Sequence, residues 1–187
     1  MKEYLITNRP KISLLMILIL FVSAFLTLIF NKMDGFIMLY PSNLSEPLNW
    51  YRLLTYPLAV GGLIIWFKTS IVFVLTGYII EHRVKKFDML GMIILSSIIG
   101  GLFFIILNQN NELNIPIASP VMISWGYWAA AIVIGVKRWR SLNLFEKVII
   151  ILCGLSILSI WNDNLGFLIG QLMVIVIVFL IAILKIK

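Results

Sequence analysis

The stretch from Trp50 to Arg83, WYRLLTYPLAVGGLIIWFKTSIVFVLTGYIIEHR, runs from an aromatic and basic lead-in through a glycine pair and an apolar run to a charged stop. The apolar run covers residues 61–80, and its one charged residue is Lys68. About 20 apolar residues at about 1.5 Å each cross about 30 Å of hydrocarbon, so the run reads as a membrane-spanning helix. Glu81-His82-Arg83 then marks its end at an aqueous boundary. Working outward, five more such runs follow the same pattern: 12–31 before it, and 88–107, 118–136, 147–161 and 165–184 after it. The chain has 187 residues, of which 61% are hydrophobic and 12% charged. That balance leaves too few polar side chains to cover a water-soluble domain of this size. The expected fold is therefore all-α, a polytopic membrane protein of six transmembrane helices in a single domain over residues 1–187. The first run lacks a small-residue cleavage site, since Asn31-Lys32-Met33-Asp34 follows Phe30, and it is read as a retained span.

The net charge of +7 is distributed by topology. Lys2, Arg9 and Lys11 precede the first span, and Arg83, Lys85 and Lys86 follow the second. Lys137, Arg138, Arg140 and Lys147 join the fourth to the fifth, and Lys185 and Lys187 follow the sixth. Twelve of the fifteen cations thus fall on one side, leaving Lys32 and Arg52 on the other and Lys68 within a span. This positive-inside bias places both termini in the cytoplasm and explains the basic excess without nucleic acid. One cysteine, Cys153, and one histidine, His82, exclude an intrachain disulfide and leave no basis for a metal site; no cofactor is expected. The frequency of Ile, Lys and Asn suggests an AT-rich bacterial genome and hence a bacterial plasma membrane.

Four segments carry a family resemblance. Trp50-Tyr51-Arg52-Leu53-Leu54-Thr55-Tyr56-Pro57-Leu58 closes the first outer loop, and Gly61-Gly62-Leu63 opens the second span. Gly77-Tyr78-Ile79-Ile80-Glu81 ends that span, and Gly166-Phe167-Leu168-Ile169-Gly170 opens the sixth. In this order and on these spans they resemble the rhomboid family, six-span intramembrane serine proteases. The resemblance covers residues 12–184 and implies a rhomboid-like bundle.

The family's catalytic positions carry over one at a time. The serine of its G-x-S-G segment falls on Ser124, in Met122-Ile123-Ser124-Trp125, with Ala129 as the small residue five positions later. Ser124 precedes Lys137 by 13 residues. That is roughly 20 Å above the inner boundary, a depth that suits such a site. Ser119 is the competing register, but Pro120 follows it. Met122 and Trp125 replace the motif's glycines. The family's general-base histidine falls on Asp163, and a carboxylate with a pKa near about 3.9 is a poor base toward a serine hydroxyl. The two histidines of the second span fall on Val60 and Ile65, and the oxyanion-hole asparagine on Thr69. Losing one oxyanion donor costs about 10²–10³ in rate, and losing the base removes what activates the serine.

Lys68 is the most unusual residue in a span, because a buried lysine there costs about 2.5–3.5 kcal/mol on insertion scales. Three readings are open: it snorkels to headgroups, it pairs with Asp163, or it serves as a general base to Ser124. Glu81 is expected to cap the packing at the inner end of the second span, and His82 to be interfacial. Trp125 and Trp128, at i and i+3, are expected to fill the cavity that a protease would keep open.

The chain is thus expected to be a non-catalytic, pseudoprotease-like rhomboid relative. Its partners would be the lipid bilayer and the transmembrane helices of other membrane proteins. The expected docking surface lies between the second and fifth spans, near Gly154, Ser156 and Ser159. Two alternatives stand beside it: an active intramembrane serine protease with an altered site of Ser124 with Lys68 or Asp163, and a small subunit of a transport or assembly complex.

Overall fold

Proline sets the start of the first long helix. A computed structural model describes residues 10–30, 34–42, 46–60, 62–109, 116–158 and 164–186. Helix α1 (Lys11–Ile29) begins directly after Pro10, where a missing N–H is no loss. The segment after α1 then forms two single turns, α2 (Asp34–Ile37) and α3 (Arg52–Thr55), with 3₁₀ turns at Pro47–Asn49 and Tyr56–Leu58. Five long helices follow: α4 (Leu63–Ile80), α5 (Lys86–Asn108), α6 (Val121–Arg138), α7 (Leu144–Leu158) and α8 (Leu165–Lys185). Two of them start away from their expected positions for local reasons. Pro120 holds the chain out of α6 until Val121. α7 starts at Leu144 rather than 147 because Asn143 and Glu146 cap it reciprocally. The Glu146 N–H donates to Asn143 Oδ1 at 2.9 Å, and the Asn143 N–H to Glu146 Oε2 at 3.1 Å.

α6 is the axis of the bundle. It packs against α4, α5, α7 and α8, while α5 also lies along α8 and α1 rests on α4. Small residues bring α5, α6 and α8 together. A Cβ built at Gly170 of α8 would lie 3.0 Å from the Gly100 carbonyl of α5, and one at Gly126 of α6 would collide with Ser96 of α5. Backbones approach this closely only where a side chain is missing.

Six spans are expected from the sequence; four helices, α1, α4, α5 and α8, are long and apolar enough to cross a membrane. The two that fall short do so for different reasons. α6 has 18 residues but includes Ser124, Trp125, Tyr127, Trp128, Lys137 and Arg138. Twelve of its residues are buried by neighbouring helices, so it has less need of apolar side chains. α7 is 15 residues long over the described stretch.

The helices alternate in direction, and their charged ends meet on one side. The Glu81 carboxylate receives the N–H groups of Ile12 and Ser13 at 2.9 and 2.6 Å, which caps α1 from the end of α4. Arg83 Nη1 lies 2.6 Å from Glu146 Oε1, joining the end of α4 to the start of α7. Lys185 reaches Asp88 at 3.4 Å, and Lys137 Nζ donates to the Ile183 and Ile186 carbonyls, the latter at 2.6 Å. The opposite end is held by neutral groups. Asn108 and Asn164 exchange two amide hydrogen bonds at 3.2 and 3.0 Å between α5 and α8. Leu39 and Ile117 exchange backbone bonds at 3.1 and 2.8 Å between the first outer loop and the segment before α6.

Candidate functional site

Ser124 lies in the first turn of α6. It is buried, and its hydroxyl donates to the Pro120 carbonyl one turn back, at 3.4 Å. Its sequence neighbours in the family motif are packed into the bundle. Met122, fully buried, fills the gap left by Gly100 and Gly170, so the side chain that replaces a glycine of the family pattern serves as packing between three helices. Trp125 is buried and meets Trp128 edge-on, with ring centroids 4.3 Å apart. Ser119 stands just outside the helix, and its Oγ accepts the Val121 N–H at 3.3 Å.

The groups expected to act on Ser124 are directed elsewhere. Thr69 is buried, and its hydroxyl donates to the Ile65 carbonyl of its own helix at 2.8 Å. Val60 is buried and Ile65 half-buried, and both are apolar. Lys68 is exposed, on the same face of α4 as the exposed Ile64, Phe67 and Ile71. It has no hydrogen bond to Ser124 and no ion pair among the described residues. A long side chain on such a face can lay its stem on apolar surface and carry the ammonium outward, as the snorkelling reading requires. Asp163 and Ser159 lie outside the described residues, and the Lys68–Asp163 pairing with them. Among the described residues, no three His, Cys, Asp or Glu side chains gather where they could hold a metal ion.

The aromatic and basic lead-in to α4 builds the loop between α1 and α4. Tyr56 is fully buried, and its hydroxyl donates to the Ser97 carbonyl at 3.0 Å, pinning the loop to α5. Arg52 Nη1 donates to the Met38 carbonyl at 3.2 Å, with Tyr40 and Tyr51 rings each 5.9 Å from its guanidinium carbon. Phe36, Leu48, Trp50 and Leu54 are exposed around it, the pattern of a segment lying in an interface.

The strongest polar site is one the expected catalytic residues do not include. Glu146 is 2% exposed and binds Arg83, with His82 Nε2 at 3.9 Å. Burial pushes the His82 imidazole below its ordinary pKa, and the Arg83 charge adds to this against the pull of Glu146. This favours the neutral imidazole, which lies beside the Arg83–Glu146 ion pair. The signal for Glu146 was in the sequence: Asn143-Leu144-Phe145-Glu146 before an apolar run has the spacing of a capping box. A second polar node is buried where α1, α4 and α6 meet. Ser13 Oγ donates to Tyr127 Oη at 3.5 Å, in the space that Gly77 leaves open.

α7 is the least enclosed of the helices after α6. Val148, Ile151, Leu152 and Leu155 form an exposed apolar stripe along it, and a Cβ built at Gly154 would meet nothing within 4 Å. No protein-family model matches the chain, and no curated protein matches it in sequence.

Proposed function

We propose that this chain is a rhomboid-like integral membrane protein of six spans, without protease activity, that binds transmembrane helices of partner membrane proteins. The observation that carries this reading is the state of Ser124: buried, with its hydroxyl bonded one turn back in its own helix. A nucleophile needs a base within hydrogen-bond reach and a space for the reacting carbonyl, and Ser124 is bonded instead to the Pro120 carbonyl. The four apolar helices support placement in a bilayer. α6 counts as a span in this reading because its neighbours, rather than lipid, surround it, and α7 because its described part continues the alternation of direction. The gathering of Lys11, Arg83, Lys137 and Lys185 at one end supports a cytoplasmic location for both termini, in a bacterial plasma membrane. The partner helix lies against the exposed stripe Val148, Ile151, Leu152 and Leu155 on α7. Between helices in lipid, such a contact rests on van der Waals packing rather than on the hydrophobic effect.

The test is labelling of the purified protein in bicelles with a fluorophosphonate probe, beside a Ser124→Ala control and an active rhomboid. The expected outcome is labelling of the active rhomboid alone. Labelling of this chain that disappears in Ser124→Ala would overturn the non-catalytic reading. A photocrosslinker at Leu152 should then capture a membrane protein that one at Ile183 of α8 does not.

A further inference from the structure

Two cavities at the basic end of the bundle share a wall. The first is an apolar groove of about 370 Å³ between α6 and α7, lined by Ile132, Gly135, Val136, Trp139, Ile150 and Gly154. The second is a cradle of about 480 Å³ lined by Val136 and Trp139 again, with Lys137, Arg138, Arg140 and Ser141. Val136 and Trp139 border both, so the groove and the cradle lie side by side at this end of the bundle. Lys147 adds a further cation there, its Nζ 5.6 Å from the Trp139 ring. The neighbouring carboxylate does not oppose this charge. Glu146 turns inward and is paired with Arg83. Lys137 is anchored on the Ile183 and Ile186 carbonyls, which fixes one cation at the edge of the cradle.

We infer that this composite site binds one anionic phospholipid of the inner leaflet. The phosphate sits in the cradle beside Arg140, and an acyl chain lies in the groove over Gly135 and Gly154. Each half alone has a simpler occupant: basic loops meet any anionic surface, and apolar grooves accept any lipid chain. Their adjacency across Val136 and Trp139 suits a molecule that is anionic at one end and apolar along the other. The room comes from Gly154, whereas the space at Gly135 is taken by Ile150. At Gly135 the backbone of α6 is approached by Ile150, whose Cγ2 would lie 2.6 Å from a built Cβ, and at Gly154 α7 carries no side chain to close the groove. Trp139, at the junction, is the residue type that favours the boundary between headgroup and chain. This face of α7 carries Ile150 and Gly154 and is distinct from the stripe of Val148, Ile151, Leu152 and Leu155.

Native mass spectrometry of the full chain in detergent tests the inference, with phosphatidylglycerol and phosphatidylcholine of the same chains added in turn. Phosphatidylglycerol should bind at least about fivefold more tightly than phosphatidylcholine, as expected where charge complementarity at the headgroup decides the match. Arg140→Gln should remove most of that preference. Gly154→Leu, which fills open space, and Val136→Trp, at an exposed position, should each block the groove and weaken phosphatidylglycerol binding with unchanged melting of the protein. Lys86→Gln, at the same end but outside the cradle, should leave binding as it is. Equal binding of the two lipids overturns the inference, as does a Lys86→Gln effect equal to that of Arg140→Gln, which would mean diffuse attraction. Unchanged binding in both groove variants overturns it as well. Displacement of the lipid by inorganic phosphate would assign the cradle to a free anion instead.

Discussion

α1 and α6 are helices of nearly equal length with opposite surroundings. α1 is apolar along its whole length, yet its buried residues are only Ser13, Leu20 and Ala24. α6 carries serine, tyrosine, two tryptophans and two glycines, yet two thirds of it is buried. In a water-soluble protein the order would be reversed, with the most apolar helix at the centre. Here apolar character follows exposure to the surroundings, and the centre is built from small and polar side chains that pack closely. Such a bundle fits hydrocarbon, where helices gain nothing by hiding leucine from lipid and gain much from contact between backbones.

The contrast can be broken at the centre first. Ile134 of α6 is fully buried, so Ile134→Ala should lower unfolding stability by about 2–5 kcal/mol, read by denaturant titration in micelles. A value near zero would mean that α6 is not the packing axis. The attachment of α1 comes next. Glu81→Ala removes the charged acceptor of the Ile12 and Ser13 amides and should cost about 1.5–3 kcal/mol. Hydrogen exchange should speed up at those two amides and remain slow in α6; uniform acceleration would show that α1 and the centre unfold together. The smallest effect belongs to the exposed face of α1. Leu18→Ala should shift stability by no more than about 0.5 kcal/mol, and a larger loss would reveal a packing partner on that face.

Much of the fold is legible in the sequence because charge brackets apolar runs: Lys11 before α1, Glu81-His82-Arg83 after α4, and Lys185 at the end of α8. The start of α7 was readable too, had Asn143 and Glu146 been taken as a cap rather than as loop residues. The centrality of α6 was not, since mean hydropathy reports what a helix is surrounded by only when the surrounding medium is known. The candidate site divides in the same way. The absence of a histidine near Ser124 is visible in the residues alone. The burial of Met122 is not, because it depends on a space defined by Gly100 and Gly170 on two other helices. The exposed placement of Lys68 lay within reach, since Ile64, Phe67 and Ile71 at helical spacing already mark an outward face.

The Arg83–Glu146 pair also imposes an order of events on the making of the protein. Arg83 leaves the ribosome with the hairpin of α4 and α5, whereas its carboxylate follows only after α6 has been made. Until α7 arrives, the Arg83 guanidinium has the Ile79 carbonyl of its own helix end, at 2.9 Å, but not its carboxylate. Glu146 is the more deeply buried of the two, so its burial as a charge is compensated only because Arg83 is already in place when α7 docks.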